Sequence, residues 1–166
     1  MLVFQNRELD VLRKSSSSNK KILLIEDSEK DTELILLILS EFDLAHNIIV
    51  LNDGVEALNY LLKKEKISHE VDYLPSLIVL DLKMPKIDGF EVLREIKKDQ
   101  LLSNIPVVIL SSSKQEIDIK KAYAVGANAY FVKSIDFEEF SYAIKEIISF
   151  WLNVNISAID FLNNNK

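Results

Sequence analysis

Leu77-Ile78-Val79-Leu80-Asp81-Leu82-Lys83-Met84-Pro85-Lys86-Ile87-Asp88-Gly89 is the stretch whose reading decides the fold. Four branched apolar residues, Leu77 to Leu80, follow closely on Pro75. A run this short, bounded by breakers, reads as a strand buried on both faces. It ends in a carboxylate, Asp81. Pro85 stops regular structure and Asp88-Gly89 turns the chain. Phe90, Leu93, Ile96 and Lys97 then fall on helical spacing. An acid at the tip of a buried strand, before a turn that lets backbone come close, is a candidate nucleophile or metal ligand. The plain alternative is that Asp81 only caps a loop.

The same alternation extends in both directions. Lys21 to Ile25 reads as a first buried strand ending in Glu26-Asp27, and Ser28 caps a helix from about Glu29 to Ser40. Asn47 to Leu51 reads as a second strand, followed by a helix from Asn52 or Asp53 to about Lys64. A polar connection then leads to the third strand, Leu77 to Asp81, whose helix ends near Lys98. Pro106 opens a fourth strand, Val107 to Leu110, ending at Ser111. The next helix, Gln115 to Val125, stops at Gly126, a residue suited to a left-handed helix end. Ala129 to Val132 is the fifth strand, ending at Lys133, and the last helix runs from about Asp136 to Leu152. Five strand–helix pairs in this order predict a flavodoxin-like α/β fold: a doubly wound, five-stranded parallel sheet, (βα)5, in three layers. Residues 1–19 read as an extension with a Ser-rich linker, 20–152 as the domain, and 153–166 as a polar tail.

The chain has 166 residues and a net charge of −6, with no cysteine. That balance argues against a general nucleic-acid binder, which needs a basic face. Without cysteine there is no disulfide, thiolate metal site or cysteine nucleophile. No apolar run reaches membrane-spanning length and the first residues lack a signal-peptide core, so a cytoplasmic location is expected.

In a parallel sheet the carboxyl ends of the strands share one crevice. Strand one brings Glu26 and Asp27 there, strand three Asp81, strand four Ser111 and strand five Lys133. Three carboxylates together repel one another unless a hard divalent cation sits among them. Oxygen-only ligands suit Mg²⁺. With a lysine and a hydroxyl alongside, the set accommodates a phosphoryl group, and Asp81 is then placed to form an aspartyl phosphate.

With these residues in this order, the chain resembles a two-component response-regulator receiver domain of the chemotaxis-regulator type. The carrying features are the acidic pair, the run Asp81-x-x-Met84-Pro85-x-x-Asp88-Gly89, the hydroxyl and the lysine. Ser111, Tyr130 and Lys133 follow Asp81 by 30, 49 and 52 positions. The resemblance implies Asp81 as phosphoacceptor, Glu26 and Asp27 with the Lys83 carbonyl as Mg²⁺ ligands, and Lys133 on the phosphoryl group. Ser111 and Tyr130 would be the switch pair, and the donor a phosphohistidine on a sensor histidine kinase. Only 33 residues follow Lys133. Output is therefore expected through contacts with a downstream protein. A receiver that is never phosphorylated, and a Mg²⁺-dependent phosphohydrolase with an aspartyl nucleophile, are the alternatives; the latter usually has a second acid where Lys83 stands.

Tyr130 to Ser134, Ser149 to Leu152 and the long connection before strand three further resemble the small regulators paired with cyanobacterial and bacterial phytochromes. That likeness implies a phytochrome kinase and a homodimer through helix four, strand five, helix five and the tail from Trp151. The competing expectation is that Trp151 folds back to close the core. Ser134 departs from the family's usual proline after the lysine, which leaves that peptide's cis or trans state open. The Lys83 side chain, at the mouth of the site, is expected to shield the phosphoryl group from water.

Overall fold

The computed structural model describes residues 20–41, 44–62 and 74–159. Its elements are β1 (Ile22–Ile25), α1 (Glu29–Ser40), β2 (Ile48–Leu51), α2 (Gly54–Leu61), β3 (Leu77–Leu80), α3 (Gly89–Lys98), β4 (Val107–Ser111), α4 (Glu116–Val125), β5 (Ala129–Val132) and α5 (Phe137–Ser149). Short 3-10 turns at Ala45–Asn47 and Leu102–Asn104 precede β2 and β4, and a π-helical turn, Phe150–Val154, extends α5. The extension of residues 1–19 with its Ser-rich linker, and residues 63–73 of the polar connection that reaches Pro75, lie outside the described residues.

The five strands are parallel and lie in the order β2-β1-β3-β4-β5. β1, β3 and β4 are buried throughout, as their continuous apolar runs require when both faces are covered. β5, at one edge, is only half-buried. Alternate strand residues feed two cores. Leu23, Ile25, Ile78 and Leu80 join residues of α2, α3 and α4 on one face. Ile22, Leu24, Leu77 and Val79 join α1 and α5 on the other. Each layer is thus a helix set buried against one side of the pleat.

Helix starts follow local chemistry. Ser28, Asp53, Asp88 and Asp136 each cap a helix by accepting from the N–H three residues on. Gly126 ends α4 at φ 116°, a backbone state that costs a residue with a Cβ. No cis peptide bond occurs among the described residues, so Lys133–Ser134 is trans.

The chain after α5 differs from expectation. The helical path does not fray at Leu152 but continues as the π turn to Val154. Trp151 packs, half-buried, against the α1/α5 core, while Phe150 stands exposed and meets the Trp151 ring edge-on, centroids 5.0 Å apart. Leu152 belongs to the α1/α5 core, yet Ile159, completely buried, belongs to the core under α2, α3 and α4. The Lys20 ammonium, just before β1, holds the Leu152 carbonyl at 3.0 Å. The segment read as a polar tail therefore passes round the amino ends of the strands, away from Asp81, and joins the two cores. Its apolar residues are too sparse for a periodic pattern, so composition alone classed it as polar.

Candidate functional site

The hydrogen-bond ladder of the sheet continues one step past the strands at their carboxyl ends. Glu26 N–H donates to the Leu51 carbonyl at 3.0 Å, Asp81 N–H to Ile25 at 3.0 Å and Lys133 N–H to Ser111 at 2.9 Å. Register carries Glu26 and Asp81 to neighbouring positions, one residue beyond the Ile25–Leu80 pair. β3 lies between β1 and β4. Asp81 is consequently flanked by the acidic pair on one side and by Ser111 on the other.

Glu26, Asp27 and Asp81 each offer a carboxylate oxygen, and the three oxygens lie within 4.8 Å of one another. Glu26 and Asp81 are buried, whereas Asp27 is exposed. Glu26 is oriented by the Ser28 N–H, which donates to its Oε1 at 3.1 Å. Asp81 Oδ2 accepts from the Lys83 N–H at 3.2 Å. Asp81 Oδ1, also buried, accepts no hydrogen bond, although Lys133 Nζ stands 3.8 Å from it. Burial raises the Asp81 carboxyl above its ordinary range, Lys133 and two backbone N–H groups oppose the rise, and Asp27 adds to it. Burial pushes the Glu26 carboxyl up to about 7, even against the ammonium beside it. Two buried acids whose ionisation is resisted, one with an orphaned oxygen, form an all-oxygen donor set that a hard divalent cation fits.

Lys133 is the counter-charge. From the edge strand its Nζ reaches Glu26 Oε2 at 2.6 Å and Asp31 Oδ2 at 2.8 Å, and the side chain is only 12% exposed. Burial works against the ammonium, but the hydrogen bonds to Asp31 and Glu26, with the charge of Asp81, outweigh it and raise its pKa. Asp31 is the site residue missing from the sequence reading. By sequence it is one more acid in the first turn of α1, where any acid suits the helix dipole. The usable signal was its position one turn into a helix that starts at the acidic pair.

Ser111 is completely buried; its Oγ accepts from the Ser113 N–H at 3.4 Å. Tyr130 donates to the Ser113 carbonyl at 2.9 Å, and its hydroxyl also comes within reach of the Ser111 side chain. The Ser113 hydroxyl in turn donates to Asp118 Oδ2 at 2.5 Å, on the first turn of α4. Ser113 and Asp118 were unread in the sequence, because a polar loop followed by an acidic helix start is commonplace. The structure thus brings together Glu26, Asp27, Asp81 and Lys133, adds Asp31, and sets the Tyr130 hydroxyl against the loop after β4, at Ser111 and Ser113.

The comparisons with known proteins agree with this geometry. Residues 22–145 match the model of the response regulator receiver domain. Response regulator Rcp1 of Synechocystis sp. is 39% identical over 137 residues, covering 82% of this chain and 92% of that protein. Its Mn²⁺-bound crystal structure superposes with a TM-score of 0.74 at 38% identity, over 83% of this chain and 98% of that one. The crystal structure of the phosphorylated cyanobacterial phytochrome response regulator RcpA gives a TM-score of 0.77 at 39% identity, over 85% of this chain and 99% of that one. The probable methanogenesis regulatory protein FilR2 of Methanothrix harundinacea is 38% identical over 82% of this chain and 86% of that protein. A parallel five-stranded sheet, an acidic pocket at its carboxyl end and a sequence match across nearly all of the described residues lead to one conclusion: this chain belongs to the response regulator receiver domain family.

Proposed function

We propose that the chain accepts a phosphoryl group on Asp81 from a phosphohistidine of a sensor histidine kinase and signals through protein contacts. The observation that carries this reading is the buried, unbonded Oδ1 of Asp81 beside the Lys133 ammonium. In the transfer, an Asp81 carboxylate oxygen forms a bond to phosphorus and the phosphorus–nitrogen bond breaks. Its electron pair remains on the donor imidazole, which takes up a proton. Glu26, Asp27 and Asp81, with the Lys83 carbonyl, would hold Mg²⁺, which supplies charge stabilisation for the phosphoryl oxygens. Lys133 contributes the second cation. The chain thereby assists its own phosphorylation and dephosphorylation without being an enzyme on another substrate. Lys83, exposed at the rim, screens the phosphoryl group from water.

Ser111 and Tyr130 are the switch pair in this reading, with the Ser113 carbonyl as the acceptor that Tyr130 exchanges when the loop after β4 moves. The receiver unit extends past 152 to Ile159, residues 1–19 form an extension, and the location is cytoplasmic. Rcp1 and RcpA favour a phytochrome as the kinase; the similarity to FilR2 favours a kinase with another input. A homodimer through α4, β5, α5 and the segment from Trp151 is supported by the exposed rings of Tyr123, Tyr142 and Phe150. Sedimentation should show a dimer in the wild type, reduced by Phe150→Ala.

Acetyl phosphate with Mg²⁺ tests the chemistry. Mass spectrometry should show one added phosphoryl group in the wild type and none in Asp81→Asn. Equal modification of the two proteins overturns the assignment.

A further inference from the structure

An ammonium has three protons to donate. In this chain Glu26 and Asp31 take two of them, at 2.6 and 2.8 Å, and Asp81 Oδ1 lies 3.8 Å from the same nitrogen. Glu26 has a divided role. It is the nearest acceptor of Lys133 and also one of the three carboxylates that could hold a metal ion. Asp31 has no such division: it lies outside the metal-ligating trio and holds Lys133 from the first turn of α1. Its backbone is itself fixed, because its N–H donates to the Ser28 hydroxyl at the helix cap. A rigid helix start therefore presents one carboxylate to the lysine independently of what Glu26 does.

We propose that Asp31 is a positioning residue, which keeps Lys133 beside Asp81 when the Glu26 carboxylate is engaged by a cation. Without Asp31, Glu26 is the one carboxylate among the described residues left in hydrogen-bond contact with the lysine, and metal and lysine compete for it. With Asp31, Lys133 retains a hydrogen-bonded anchor and one donor for an oxygen on Asp81. The ordering entropy of a long, flexible side chain is then met before the phosphoryl group arrives. The proposal rests on Asp81 being the acceptor, as read above.

Beryllofluoride titration at saturating Mg²⁺ tests it. Asp31→Asn should weaken beryllofluoride binding roughly tenfold, the scale of one charge-assisted hydrogen bond, and Asp31→Glu should recover most of the loss. In a Lys133→Ala background, Asp31→Asn should have no further effect, because the carboxylate acts through the lysine. In metal-free protein, exchange of the Lys133 ammonium protons with water should accelerate in Asp31→Asn. An unchanged affinity in Asp31→Asn overturns the proposal, as does an equal loss with and without Lys133 or unaltered ammonium exchange. A wild type that binds no beryllofluoride overturns instead the reading of Asp81 as acceptor.

Discussion

Gly89 lies so close to Asp81 that a Cβ at position 89 would meet the Asp81 main-chain oxygen at 2.1 Å. The same glycine donates its N–H to the Leu82 carbonyl at 3.0 Å, so α3 begins pressed against the strand end that carries Asp81. Backbone on one side and a helix start on the other leave no flexible group to yield. Gly89→Ala should therefore destabilise the fold by about 3 kcal/mol or more, in the range of steric strain at a fixed backbone. It should also weaken beryllofluoride binding, since the strain falls on Asp81 itself. Denaturant unfolding and the titration measure the two effects; a loss of stability below about 1 kcal/mol contradicts the close approach.

Stability should depend on pH through Glu26. Its carboxyl titrates at about 7 in the fold against an ordinary 4.5. Between those values the folded chain holds a proton that the unfolded chain has lost. Metal-free stability should thus be greatest below about 4.5 as far as this group is concerned, and should fall as pH rises towards 7. Asp81, raised in the same direction, adds to the slope. Glu26→Gln should flatten the profile, and Mg²⁺ should raise the unfolding midpoint more at pH 8 than at pH 5. Thermal unfolding across that range checks both, and a wild-type profile no steeper than that of Glu26→Gln would refute them.

Ile159→Ala should cost about 2–4 kcal/mol, as for other fully buried large-to-small changes. Ile156→Ala, at a side chain 72% exposed, should stay within about 0.5 kcal/mol. Equal, small effects at both positions in denaturant unfolding would mean that the segment after α5 does not share the core.

Much of this was legible in the sequence, for physical reasons that differ by element. β3 was readable because a strand covered on both faces must be apolar at every position. The helix starts were readable because Ser28, Asp53 and Asp88 are side chains that satisfy free N–H groups. The strand-end residues Glu26, Asp27, Asp81 and Lys133 were readable because parallel topology sends every strand's carboxyl end to one side. Asp31 was not, since its role depends on the direction in which the first turn of α1 faces, and periodicity does not report that. Ile159 was not, because one of several scattered apolar residues in a polar segment becomes core only when the chain path brings it there. Tyr130 was read with Ser111 as a switch pair, and the further bond of its hydroxyl to the Ser113 carbonyl depends on the path of the loop after β4, which the sequence does not report.

The pocket joins residues far apart along the chain: Lys133 and Glu26, hydrogen-bonded at 2.6 Å, are separated by 107 positions. Between them lie all of α1 to α4 and every strand except β1. A chain still emerging from the ribosome, or one cut before β5, possesses Asp81 and the acidic pair but not the cation that completes them. The pocket is thereby complete only once the chain has been made at least as far as Lys133, past the end of β5. A fragment that ends before β5 lacks the ammonium on which the proposed phosphoryl transfer draws.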